Sequence, residues 1–240
     1  MLDPIQKAQE ISKIVSKGNQ RKYYRFRPAP FYGGIATADC VGCCLCCIFC
    51  WSYRVVTHPE SRGKFNSPQQ VVSRLTQIAQ KKRFKQIRIS GNEPTLAREH
   101  LIEVLSLIPE RYLFILETNG ILLGHDPSYT ADLARFSNLH VRVSIKGCTN
   151  EEFEELTGYD RKGFHWQLQA LENLLRAGVA SHPAVMTTFS SYQHVEHLRK
   201  RLGAIHSEFS RFEEETLIPY PEVEQRLNMA GYELRDGSNP

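Results

Sequence analysis

At 240 residues the chain is long enough for one domain with a full apolar core. Its 41% hydrophobic, 23% charged and 10% aromatic residues exclude a disordered or fibrous protein. A formal charge of +4 and an isoelectric point of about 8.6 are mild beside the basic surface of a dedicated nucleic-acid binder.

No run approaches the roughly 18 apolar residues that a membrane helix needs. Met1-Leu2-Asp3-Pro4 passes straight into a polar amphipathic segment with no signal-peptide core, so the expectation is a cytoplasmic protein with no membrane partner. Asp3-Pro4 supplies an N-cap and a first-turn proline, Ile5, Ala8, Ile11, Ile14 and Val15 recur at helical spacing, and Gly18 closes the segment. Next, Arg21-Lys22-Tyr23-Tyr24-Arg25-Phe26-Arg27 interleaves bases with aromatics in a turn-rich stretch, which reads as a solvated surface or as a foothold for RNA. A strand over 33–38 leads into a run of cysteines, and Ser67-Pro68 caps a helix carrying Val71, Val72, Leu75, Ile78 and Ala79.

From there strand and helix alternate. Strands are predicted over 86–90, 112–117, 139–145, 182–188 and 214–218. Helices are predicted over 98–107, 129–136, 151–156, 166–177, 194–202 and 222–229. About six βα units favour a parallel sheet with helical crossovers, whose chemistry gathers on loops at the strands' C-terminal ends. The expected organisation is an N-terminal helix and basic extension over 1–32, one α/β domain over 33–235 and a flexible tail over 236–240.

Six of the seven cysteines lie between Cys40 and Cys50, which is the distribution of a metal or cluster site and not of a disulfide framework. Two registers of C-x-x-x-C-x-x-C exist, Cys43/Cys47/Cys50 and Cys40/Cys44/Cys47. Phe49 precedes the last cysteine of the first, whereas Cys46 stands at that place in the second. A zinc knuckle is the competing reading, since Cys40-x-x-Cys43, Cys44-x-x-Cys47 and Cys47-x-x-Cys50 each supply half of one, but a second, separated pair is missing.

The first register resembles the C-x-x-x-C-x-Φ-C motif of the radical S-adenosylmethionine (SAM) superfamily, and the resemblance runs in order from about 33 to 218. Ser90-Gly91-Asn92-Glu93-Pro94-Thr95 looks like that family's G-G-E-P loop, with Asn92, a residue that tolerates the left-handed region, in place of the second glycine. Glu117-Thr118-Asn119-Gly120 and Val143-Ser144-Ile145-Lys146, followed by Leu156-Thr157-Gly158, resemble segments of pyruvate formate-lyase activating enzyme. There Glu117 replaces an Asp, and Ser144 stands where another Asp would be.

The resemblance implies a partial (βα)6 barrel and a [4Fe-4S] cluster on Cys43, Cys47 and Cys50. It further implies SAM held by Phe49, Gly91, Asn92, Glu93, Pro94, Glu117, Thr118, Asn119, Ser144, Lys146 and Met186. Glu93 would receive the SAM amino group, Glu117 to Asn119 would face its ribose and carboxylate, and Met186 would line the adenine side. The implied activity is reductive SAM cleavage for hydrogen abstraction, fed by a reductant such as ferredoxin or flavodoxin. The implied substrate is a glycyl-radical or other protein. A nucleotide, an RNA or a small metabolite is the alternative substrate, and a non-catalytic iron-sulfur or zinc protein is the alternative class.

Overall fold

Apolar residues at alternate strand positions need helices to cover them, and the chain supplies a helix after nearly every strand. The computed structural model describes residues 2–232; the expected tail over 236–240 lies outside them. Helix α1 (Pro4–Val15) leads into strands β1 (Ser16–Lys17), β2 (Gln20–Ala29) and β3 (Ile35–Cys40). Then come α2 (Tyr53–Thr57), β4 (Lys64–Asn66), α3 (Pro68–Lys82), β5 (Gln86–Ser90), α4 (Arg98–Leu107) and β6 (Leu113–Thr118). Helices α5 (Ile121–His125) and α6 (Pro127–Leu133) precede β7 (Leu139–Ile145), α7 (Asn150–Thr157) and α8 (Lys162–Arg176). The described chain ends with β8 (Ser181–Met186), α9 (Tyr192–Ile205), β9 (Glu213–Glu215) and α10 (Pro221–Met229).

All the strands join one sheet in the order β1-β2-β3-β5-β6-β7-β8-β9, with β4 attached to β2. From β3 to β9 along this path every pairing is parallel, so six parallel strands make the expected partial barrel. One face is apolar: Ala36, Ala38, Ile87, Ile89, Phe114, Leu116, Val141, Val143 and Val185 share a cluster with the helices. Its opposite, concave face carries Thr37, Asp39, Arg88, Glu117, Arg142, Ser144, Glu213 and Glu215, which bond to one another and to β2 across the strands. That alternation reflects the period-2 pleat, and the helices cover only one of its faces.

Three local expectations change. The basic stretch 21–27 is not a turn region but strand β2, paired antiparallel with β3 from Tyr23↔Cys40 to Ala29↔Ile35. Strand β3 starts at Ile35 because Gly33 and Gly34 before it have positive φ. In place of one helix over 129–136 stand α5 and α6, since Asp126 accepts from the Ser128 backbone N–H at 2.9 Å and Pro127 opens a new helix. Helix α5 lies so close to α8 that a side chain at Gly124 would collide with the Trp166 carbonyl oxygen.

Candidate cofactor site

The cysteine loop leaves β3 at Cys40 and runs with little regular structure to α2, so its shape depends on contacts from outside. Arg226 of α10 donates to the Ile48 and Cys50 carbonyls at 3.0 and 2.5 Å and stacks over Tyr53. The Ile48 N–H donates to the Leu156 carbonyl at the end of α7. Asn92 bridges the loop's two ends: its amide donates to the Cys40 carbonyl at 2.8 Å and its oxygen accepts from the Ser52 hydroxyl at 2.8 Å. The Ser52 hydroxyl also touches the Cys50 sulfur at 3.4 Å.

The thiols fall into two groups. Cys40 and Cys44 are wholly buried, Cys40 beside Arg21 and Cys44 under Asn119, whose amide N–H donates to it at 3.3 Å. Cys43 and Cys50 are half-buried, and Cys47, buried, is close enough to both and to Lys146 to feel their charges. Burial pushes the Cys40 thiol up to about 11 against the pull of Arg21. Cys47 and Cys50 are raised chiefly by burial, and Cys43 first by its contact with Cys44 and then by burial. Cluster binding must therefore drive off protons. Three free, soft thiols on one loop, two of them reaching the surface, are a donor set that fits an iron-sulfur cluster. Among the described residues no three His, Cys, Asp or Glu side chains converge as the ligands of a single metal ion would.

Glu93, expected to receive the SAM amino group, has both carboxyl oxygens hydrogen-bonded within the chain. One oxygen accepts from the Thr95 N–H, the Thr95 hydroxyl and the Thr118 hydroxyl at 3.1, 2.6 and 2.7 Å, and the other from the Asn119 N–H at 2.7 Å. Wholly buried, it staples the loop after β5 to the end of β6. Asn92 is not in the left-handed region either; the positive φ belongs to Gly91, where a Cβ would lie 2.8 Å from Asp39 Cα. Pro94 opens a short 3-10 turn that Glu93 caps.

Glu117 is likewise occupied, by Arg88, the Ser90 hydroxyl and, at 3.3 Å, the Tyr32 hydroxyl. Thr118 and Asn119 turn toward Glu93 and toward the Cys43 and Cys44 sulfurs. Gly120, in the left-handed region, caps α5.

Phe49 stacks on Phe189 with ring centres 5.5 Å apart, and the Lys146 ammonium lies 5.9 Å from its ring centre. Lys146 contacts the Ser144 hydroxyl and lies 3.6 Å from Glu215, which also accepts from Ser144 and Arg142. Burial would lower the Lys146 pKa, but Glu215 and then Cys47 outweigh it and hold the ammonium charged. The carboxyl absent at Ser144 thus arrives from β9, two strands away across β8. Met186 ends β8 in register with Glu215, packed in the same apolar cluster as Phe49.

Sequence reasoning missed Glu215, Arg226, Ser52 and Gln167. Gln167 donates to the Asn119 and Ser144 carbonyls and accepts from the Lys146 N–H, so it ties two strand ends together. Only Glu215 left a signal, as part of an acidic run Glu213-Glu214-Glu215 that opens into the strand predicted over 214–218. The basic stretch is also spent differently: Arg21 is buried and donates to the Glu93 carbonyl, and Lys22 donates to the Pro59 and Glu60 carbonyls, so neither presents a charge to RNA.

No curated protein matches the chain. Among solved structures, TYW1 with a lysine-pyruvate adduct bound is similar over 82% of this chain and 72% of its own, at 15% identity and a TM-score of 0.54. Streptococcus suis SuiB bound to precursor peptide SuiA is similar over 81% of this chain and 44% of its own, at 16% identity and a TM-score of 0.57. SuiB bound to S-adenosylmethionine gives 80%, 45%, 16% and 0.54. The chain therefore spans less than half of SuiB, and at these identities the likeness is one of fold. A family model described as the radical SAM superfamily matches residues 39–202, from the residue before the cysteine run into α9. With most of its length matched and its parallel half-barrel shared, the chain belongs to the radical SAM superfamily.

Proposed function

We propose that this chain is a radical SAM enzyme whose [4Fe-4S] cluster is held by Cys43, Cys47 and Cys50. The observation that carries this register is burial: the competing register needs Cys40 and Cys44, both shut in the core, whereas Cys43 and Cys50 are only half-buried. When bound and reduced, the cluster supplies the electron that splits SAM into methionine and a 5′-deoxyadenosyl radical.

The chain's own residues do the rest. Asn119 and the Leu45 N–H donate toward the Cys43 sulfur at 3.6 and 3.4 Å, stabilising a thiolate there. Phe49, backed by Phe189, offers a flat apolar wall for adenine. Lys146, pinned by Glu215, offers a fixed positive charge for the SAM carboxylate. Gly91 and Asn92 present backbone to the SAM amino group, and Glu93 positions them.

For the substrate, we propose hydrogen abstraction from a polypeptide, with glycyl-radical formation on a partner protein as the specific form and a ferredoxin or flavodoxin as reductant. The order of the activating-enzyme-like segments supports this, as does SuiB, similar in fold and bound to a precursor peptide. Anaerobically reconstituted protein is expected to hold about four iron and four sulfide per chain, to change its EPR signal on adding SAM, and to release 5′-deoxyadenosine when reduced. Cys43→Ala, Cys47→Ala and Cys50→Ala each abolish that release, and Cys40→Ala retains it. Release retained without Cys43 would overturn the register. Deuterium passing from a glycine-labelled partner into 5′-deoxyadenosine tests the substrate.

A further inference from the structure

We infer that Arg25 and Arg27 form a clamp for an oxyanion of the substrate, on the concave face of the half-barrel beside the cysteine loop. Two apart on β2, they face the same side of the sheet. Each turns its Nε–H toward one oxygen of Asp39, Oδ2, at 2.6 and 3.0 Å. The Asp39 side chain is 0% exposed, whereas those of Arg25 and Arg27 are 41% and 25% exposed. A buried carboxyl thus orients both guanidinium groups from behind. Their NH1 and NH2 ends have no hydrogen-bond partner among the described residues.

The other arginines of this face are closed. Arg142 spends Nε, NH1 and NH2 on Glu213 and Glu215, and Arg88 spends Nε on Thr37 and NH1 on Glu117 with its side chain only 5% exposed. At β2 two guanidinium groups share one carboxyl, which leaves one formal positive charge uncompensated. Arg25 is further fixed between the rings of Tyr24 and Trp51, 5.5 and 5.3 Å from their centres. The Tyr24 hydroxyl, a donor, is buried beside the clamp with no hydrogen bond. Asp39 precedes Cys40 and Trp51 follows Cys50, so the clamp borders the loop that carries the proposed ligands.

Free, pre-oriented N–H forks match the paired oxygens of a carboxylate or a phosphate ester. The inference rests on the radical SAM reading only in assigning the anion to the substrate. It is tested on the full chain with its cluster reconstituted and its arginine Nε labelled with 15N, the two signals being assigned with Arg25→Lys and Arg27→Lys. Acetate, inorganic phosphate and neutral acetamide are titrated at constant ionic strength, with and without saturating SAM.

The expected result is a saturable shift of both signals with acetate or phosphate and none with acetamide. Arg25→Gln or Arg27→Gln weakens the effect about tenfold, in line with the loss of a charge-assisted hydrogen bond. Tighter phosphate marks a phosphate ester, and tighter acetate a carboxylate. No saturable shift with either anion overturns the clamp, and so does displacement of both anions by SAM, which would assign the arginines to the cofactor's own carboxylate. If no cluster forms, the enzymatic reading falls, and the same titration of the cluster-free full chain still decides the clamp.

Discussion

A carboxyl that accepts from four donors cannot become an amide without turning one contact into a clash. At Glu93 the donors lie on both oxygens, the Asn119 N–H on one and the Thr95 N–H with two hydroxyls on the other. Whichever way a glutamine is turned, its NH2 meets a backbone N–H. Glu93→Gln is therefore expected to cost about 2 to 3 kcal/mol, the price of an unsatisfied buried group. In a chain of this size that is a fall in Tm of roughly 4 to 12 °C, read by calorimetry on the cluster-free protein. An unchanged Tm would sink the staple reading, because a carboxyl that only awaits a ligand tolerates the amide in the ligand's absence. Asn92 repeats the lesson: residue type marks the loop, and only the three-dimensional partners say which atom of the residue is used.

At the scale of elements, the cysteine loop is irregular and α10 is its clasp. The two carbonyls that Arg226 holds belong to Ile48 and Cys50, flanking Phe49. Arg226→Ala is expected to speed cluster loss to a chelator about tenfold, the effect of one charge-assisted hydrogen bond, while shifting the unfolding midpoint little. Equal loss rates in variant and parent would assign the clasp to some other contact. Most of the alternation of strands and helices from β5 to α10 was legible in the sequence because apolar period and capping residues agree there, whereas α2, β4 and α5 were not. Strand β2 was not, because a strand that faces a polar lumen on one side and buries Arg21 and Lys22 through internal hydrogen bonds reads as a charged loop. Arg226 and Gln167 were invisible for a related reason. They act on backbone carbonyls far along the chain, and a carbonyl has no sequence signature.

At the scale of the molecule, the N-terminal hairpin extends the half-barrel and is bound to its outer layer through His100 of α4. Its Nδ1 lies 3.0 Å from the Asn19 carbonyl and its Nε2 3.0 Å from the Tyr23 hydroxyl. A neutral imidazole suits that pair, with one donor for the carbonyl and one acceptor for the phenol. Burial lowers the His100 pKa from 6.5 to about 4, and His140, buried beside His182, is lowered as well. Above pH 6.5 both the folded and the unfolded chain carry these rings neutral, and the contribution is constant. As the pH falls from 6.5 toward 4 the unfolded chain takes up protons that the folded chain refuses, so stability falls across that window. For His100 the full loss is about 3 kcal/mol. Carboxylates such as Glu213, lowered to about 2 first by its hydrogen bond from His182 and then by Arg142, lose their contribution in a separate window below pH 4.5. Denaturant unfolding of the full chain at pH 7, 6, 5 and 4.5 should therefore show a fall that His100→Asn removes, apart from the share of His140. An identical fall in parent and variant would mean that His100 is protonated in the fold, and that the hairpin is held to α4 by packing alone.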